Sequence, residues 1–159
     1  MIKPLFLFKK ALFITILYLC IYYYIHSWRE ELSANFDIKI LYIEDEYITR
    51  MEVNIILGTK YKNVILAKNG EEGYELYKSE KPDLIITDIK MPDCDGIEMV
   101  KKIRAEDSKV PIIVASAFEK EFFKFDDLDI QDYIIKPITK FSLLIMIEDV
   151  MSSYEQLDT

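Results

Sequence analysis

The chain has 159 residues, 51% of them apolar and 30% charged, with a formal net charge of −8; that length suits a single domain. In residues 1–37, four bases (Lys3, Lys9, Lys10, Arg29) stand against three acids (Glu30, Glu31, Asp37), leaving +1 there and −9 on the other 122 residues; so acidic a body repels phosphate backbones, which argues against nucleic acid as a partner. The two cysteines, Cys20 and Cys94, lie in unlike contexts and the one histidine, His26, has no Cys or His neighbour, which argues against a disulfide framework or a His/Cys metal cluster and fits a reducing compartment.

Residues 1–37 read as an apolar N-terminal segment. Its centre, residues 11–28, holds no Asp, Glu, Lys or Arg. A helix there would be roughly 27 Å long at about 1.5 Å per residue, against a bilayer core of about 30 Å. Tyr18, Tyr22, Tyr23, Tyr24 and Trp28 crowd its second half, as in an interfacial aromatic belt. Residues 11–28 are therefore expected to be an apolar helix that associates with a membrane. A helix packed on protein, a signal peptide and a translation start further downstream are the alternatives, although no small-x-small cleavage site follows. Lys3, Lys9 and Lys10 on one side against Arg29 and Lys39 on the other would place the N-terminus, not the following domain, on the cytoplasmic side.

From residue 38 the pattern changes to short apolar runs alternating with amphipathic stretches. Ile38–Ile43 reads as a strand, Tyr47–Leu57 as a helix stopped near Gly58, and Asn63–Ala67 as a strand. Glu71–Ser79 reads as a helix opened after Asn69-Gly70, Asp83–Thr87 as a strand after Pro82, Gly96–Ala105 as a helix and Pro111–Ala115 as a strand. A weak helix over Glu119–Phe125, a strand over Tyr133–Ile135 and a helix over Ile138–Met151 complete five strands and five helices. Strands alternating with helices imply an α/β domain over residues 38–159 with a parallel sheet covered on both faces. The chain ends just after the last helix, so a second domain is not expected.

In an open parallel sheet, chemistry gathers beyond the carboxyl ends of the strands. Those ends carry Glu44-Asp45-Glu46, Asp88, Ser116 and Lys136-Pro137. Crowded carboxylates repel one another unless a cation intervenes, and Mg²⁺ suits a few carboxylates combined with phosphate oxygens. A carboxylate can also act as a nucleophile toward phosphorus, with metal and lysine neutralising the charge that spreads over the phosphoryl oxygens. Taken singly, Glu44 and Asp45 could merely cap the next helix and Lys136 pair with a surface acid. Four strand ends acting together argue against that.

The runs ILYIEDE (40–46), PDLIITDIKMPDCDG (82–96), PIIVASA (111–117) and DYIIKPI (132–138) resemble, in this order and spacing, the receiver domains of bacterial response regulators in two-component signalling. The resemblance covers about Ile38 to Ser152. It implies a flavodoxin-like doubly wound five-stranded parallel sheet of order 2-1-3-4-5. It also implies that Asp88 accepts the phosphoryl group, that Glu44, Asp45, Asp88 and the backbone carbonyl of Lys90 hold Mg²⁺, and that Ser116 and Lys136 bind phosphoryl oxygens. Tyr133 matches the family's aromatic switch residue, which turns inward as Ser116 moves, and Lys136–Pro137 matches a cis peptide position. Lys90 and Phe118 match positions that flank the water that hydrolyses the aspartyl phosphate, so both should slow dephosphorylation; alternatively Phe118 turns down into the core. The chain departs from the family in having Glu44 where Asp is common, Asp129 where Gly is usual, and a slightly short stretch from Ser116 to Lys136.

By this resemblance the donor is a sensor histidine kinase or a histidine phosphotransfer protein. The added charge shifts an equilibrium between two shapes of the face around the fourth helix, fifth strand and fifth helix, where a downstream protein partner binds. The chain would then be a regulatory phosphoacceptor rather than an enzyme, a stand-alone receiver similar to the chemotaxis type. It should lie in the cytoplasm, tethered to the inner face of the cytoplasmic membrane if residues 11–28 anchor it. The rivals are a phosphorelay intermediate and a metal-binding, membrane-tethered scaffold without phospho-switching. Phe118, Phe122, Phe125 and Leu128 follow a helical core stripe, whereas Phe123 lies off it as a candidate contact residue. Cys94 reads as an inert loop thiol.

Overall fold

The computed structural model describes residues 37–91, 96–117 and 127–155. Five strands lie in the order β2-β1-β3-β4-β5: β1 Lys39–Ile43, β2 Asn63–Ala67, β3 Leu84–Asp88, β4 Ile112–Ser116 and β5 Asp132–Ile135. Every adjacent pair is parallel. The described helices are α1 Tyr47–Gly58, α2 Gly70–Glu80, α3 Gly96–Glu106 and α4 Lys140–Glu155. This is the doubly wound, flavodoxin-like order that the resemblance implied. The expected helix over 119–125 and the apolar segment 11–28 fall outside the described residues, as do Phe118, Phe122, Phe123, Phe125 and Cys94. Among the described residues, no helix is long and apolar enough to cross a membrane.

Alternation with period two sends successive strand residues to opposite faces. Ile40, Tyr42, Ile86, Ile113 and Ala115 pack with Val53 and Leu57 of α1 and with Leu143 and Ile147 of α4. Leu41, Ile43, Ile85, Ile112 and Val114 pack on the other face with Met99, Val100 and Ile103 of α3. All five residues of β3, and all five of β4, are buried, as central strands covered on both faces must be. Each fully buried aliphatic side chain contributes about 1.5–3 kcal/mol.

Element ends follow local chemistry. The Asn69 side chain accepts from the Glu72 backbone N–H at 2.9 Å and opens α2. At α4, Thr139 Oγ1 accepts from the Ser142 N–H and Ser142 Oγ from the Thr139 N–H, at 3.2 and 3.3 Å. This reciprocal cap starts α4 at Lys140 rather than at Ile138, and the helix runs on to Glu155 rather than stopping at Met151. The β3 strand runs one residue further than its apolar pattern, so Asp88 is its last residue.

Before β5, Asp129 adopts a left-handed conformation with φ 48°, which explains why glycine is expected there; Asp tolerates it better than most residues. Arg104 holds the loop, donating to the carbonyls of Leu128 and Asp129 at 2.9 Å each. Gln131 Nε2 donates to the Asp129 carbonyl as well, at 3.1 Å. Leu128, the one described member of the aromatic stripe, packs half-buried against the second core cluster.

Candidate functional site

Among the described residues, the buried polar ones gather where the strands end. Glu44, Asp88 and Ser116 are buried, only 2%, 9% and 1% exposed. They follow or close β1, β3 and β4, and Lys136 follows β5. Strand register brings them together, because Asp88 lies opposite Ala115 and Ser116 opposite Ile135. The Lys136 backbone N–H donates to the Ser116 carbonyl at 2.8 Å, and the Lys136–Pro137 peptide is cis. The Lys136 ammonium reaches back over the sheet edge and donates to Glu44 Oε2 and Asp88 Oδ2, both at 2.6 Å.

Burial sets the electrostatics. It pushes the Glu44 carboxyl above its ordinary range; the hydrogen bond and charge of Lys136 pull it down, and the Asp88 charge pushes it up again. Burial alone would lower the Lys136 ammonium. The hydrogen bonds it donates to Asp88 and Glu44, and their negative charges, outweigh that, so its pKa is raised. The lysine is thus held charged between two acids.

The backbone around Asp88 is braced. Its Oδ1 accepts from the Ile89 N–H at 2.6 Å, and its carbonyl accepts from Thr87 Oγ1 at 2.9 Å. The first residue of α3 crosses directly over it: the Gly96 N–H donates to the Ile89 carbonyl at 2.9 Å. A Cβ on Gly96 would collide with the Asp88 carbonyl oxygen and lie 3.1 Å from its carbon. Glycine is required there by close approach. On the other side, Arg50 of α1 donates to the carbonyls of Glu44 at 2.6 Å and Asp45 at 3.1 Å, and so fixes the acidic turn.

Glu44 and Asp45 do not cap α1. The N-cap is Glu46, whose side chain accepts from the Thr49 hydroxyl, and Lys136 pairs with the two buried acids rather than with a surface one. Asp45 faces solvent at the rim. One carboxylate oxygen each from Glu44, Asp45 and Asp88 fall within 4.8 Å of one another. This all-oxygen, anionic donor set fits a hard divalent cation with room for water and phosphate oxygens.

Lys90 lies exposed in the loop after β3. Tyr133 of β5 is half-buried, sits opposite Val114 and packs against the second core cluster. Sequence reasoning assembled Glu44, Asp45, Asp88, Ser116 and Lys136 but passed over Tyr42, Thr87, Arg50 and Gly96. Tyr42 left a readable trace: it is the one hydroxyl among the aliphatic residues of β1, two residues before Glu44 and so on the same face. The Tyr42 hydroxyl donates to Glu44 Oε2 at 3.0 Å.

Comparison with known proteins places these features in context. Residues 40–148 match the family described as response regulator receiver domain. The chain is 34% identical over 102 residues to the chemotaxis protein CheY of Bacillus subtilis, covering 62% of this chain and 85% of that one. It is 37% identical over 105 residues to the alkaline phosphatase synthesis transcriptional regulatory protein PhoP of the same organism, covering 64% of this chain but only 43% of PhoP. Among solved structures, the N-terminal domain of an uncharacterized protein from Wolinella succinogenes superposes with a TM-score of 0.68 at 38% identity, covering 72% of this chain and 94% of that one.

Proposed function

The chain belongs to the response regulator receiver-domain family, and from that premise we propose that Asp88 is its phosphoacceptor. A carboxylate oxygen of Asp88 attacks the phosphorus of a phosphohistidine on a kinase or phosphotransfer protein. The new P–O bond forms as the P–N bond breaks, the imidazole leaves with the bonding pair, and an acyl phosphate results. The observation that supports this best is the Lys136 ammonium set 2.6 Å from Asp88 in a buried acidic site, where it can neutralise phosphoryl oxygens as they arrive. Glu44, Asp45 and Asp88, with the Lys90 carbonyl, would hold Mg²⁺, which supplies further charge neutralisation and orientation of the phosphoryl group. Ser116 would accept the phosphoryl group's position as a signal and Tyr133 would answer it by repacking, changing the face that a downstream partner reads.

Residues 38–159 act in this reading as the receiver and 1–37 as a separate segment. The exposed apolar residues Tyr47, Ile48 and Ile55 of α1 and Phe141 of α4 give a protein donor a surface to dock on. Because the donor's histidine lies in the cytoplasm in such systems, so does the receiver; retention in the pellet after an alkaline carbonate wash would support a membrane tether through 11–28, and full release would remove it. For the central claim, acetyl phosphate with Mg²⁺ should add one phosphoryl group that is labile in both acid and base, as an acyl phosphate is, and Asp88→Asn should take none. Labelling that survives Asp88→Asn would move the acceptor elsewhere.

A further inference from the structure

Tyr42 lies in the middle of β1 and is fully buried, its ring among Ile40, Ile86 and Ala115 on the face covered by α1 and α4. A phenylalanine would fill that volume as well. The hydroxyl is what differs, and a buried hydroxyl needs a partner. Its partner is Glu44 Oε2, at 3.0 Å, the same oxygen that accepts from Lys136 Nζ at 2.6 Å. Two donors therefore hold one oxygen of Glu44, which leaves the other available to the cluster that Glu44 forms with Asp45 and Asp88.

We propose that Tyr42 is a positioning residue for the cation site: its phenol anchors Glu44 so that the second carboxylate oxygen is presented to Mg²⁺. The inference rests on the function proposed above. Glutamate is one methylene longer than aspartate and has one more torsion to order when it binds a cation. Lys136 cannot order it alone, because the lysine is shared with Asp88 and is itself a long side chain with several torsions to fix. Tyr42 is rigid by packing and points at the carboxylate from below the sheet edge, which is how a supporting group pre-organises a ligand. The pairing also accounts for Tyr42 and Glu44 occurring together in ILYIEDE: the longer acid comes with its own brace.

The test is a double-mutant cycle on the full chain, with Mg²⁺ titrated calorimetrically at one neutral pH into wild type, Tyr42→Phe, Glu44→Asp and the double variant. Tyr42→Phe should weaken Mg²⁺ binding about tenfold, the scale of a lost supporting hydrogen bond at a metal ligand. With Glu44→Asp, the carboxylate no longer reaches the phenol, and the same substitution should change affinity less than about twofold. With acetyl phosphate, the Mg²⁺ concentration giving half-maximal labelling of Asp88 should rise about tenfold in Tyr42→Phe while the rate at saturating Mg²⁺ is retained. Unchanged affinity in Tyr42→Phe, or an equal loss in both backgrounds, would overturn the positioning role. A wild-type chain that neither binds Mg²⁺ nor labels at Asp88 would instead overturn the function on which it rests.

Discussion

The two ends of the parallel sheet use similar residues to opposite effect. At the amino ends of the strands, Lys39 pairs with Glu80 at 3.3 Å, both well exposed, and Asp83 accepts from the Lys39 backbone N–H at 2.7 Å. Arg104 spends its guanidinium on neutral carbonyls. Each charge there has solvent or a backbone dipole beside it. At the carboxyl ends, Lys136 is set against the buried acids Glu44 and Asp88, with Arg50 on the Glu44 carbonyl beside them. A fold seeking stability alone would not set three ionisable groups together in this way, which supports the ligand-binding role proposed for the carboxyl end.

Glycine gives the sharpest way to break the comparison. Gly96→Ala drives a methyl group into the Asp88 carbonyl and should cost about 3 kcal/mol or more, since backbone rather than a flexible side chain must yield. Labelling of Asp88 should fall with it. Gly58→Ala, at the far end of α1 with nothing within 4 Å, should be neutral or stabilising by up to about 1 kcal/mol. Urea denaturation of both variants checks this, and a harmless Gly96→Ala would remove the close approach from the account.

The lysines come next. Lys136→Met leaves Glu44 and Asp88 buried without their shared cation and should destabilise the Mg²⁺-free protein by about 2–3 kcal/mol. Lys39→Met removes an exposed pair and should cost less than about 1 kcal/mol. Equal losses by thermal melting would mean that burial does not separate the two ends.

The smallest expected effect is the pH dependence of Glu44. Its folded pKa is raised, by burial first, so above the unfolded value of about 4.3 the folded state holds the proton more tightly than the unfolded one. Stability from this group is fully present below that pH and is lost as pH rises toward the raised folded value. Glu44→Gln should remove the slope and, with chelator present, leave the protein about 1 kcal/mol more stable at neutral pH, while weakening Mg²⁺ binding. Denaturation curves from pH about 4 to about 8 decide it; a variant that is less stable than wild type throughout would show that the Glu44 charge is a net benefit to the fold.

Much of this is legible in the sequence. Short, nearly continuous apolar runs bounded by Gly, Pro and Asn placed all five strands within a residue or two, and the family resemblance implied the sheet order. What failed locally did so for identifiable reasons. Ile138 looked helical because it is apolar, but the Thr139–Ser142 cap begins α4 two residues later. Asp129 looked like a departure from the family, yet the chain keeps the left-handed turn with an aspartate and braces it with Arg104 and Gln131.

The sequence by itself determined which residues stand at the strand ends, because alternation and turn chemistry are local and are read from neighbours. Only the tertiary structure decided which of them touch. Lys136 meets Glu44 across 92 residues and Asp88 across 48, Gly96 lies over the Asp88 carbonyl, and the Tyr42 hydroxyl meets Glu44 rather than solvent. These contacts depend on the register between parallel strands and on how closely a helix start crosses a strand end, and no period along the chain carries either distance.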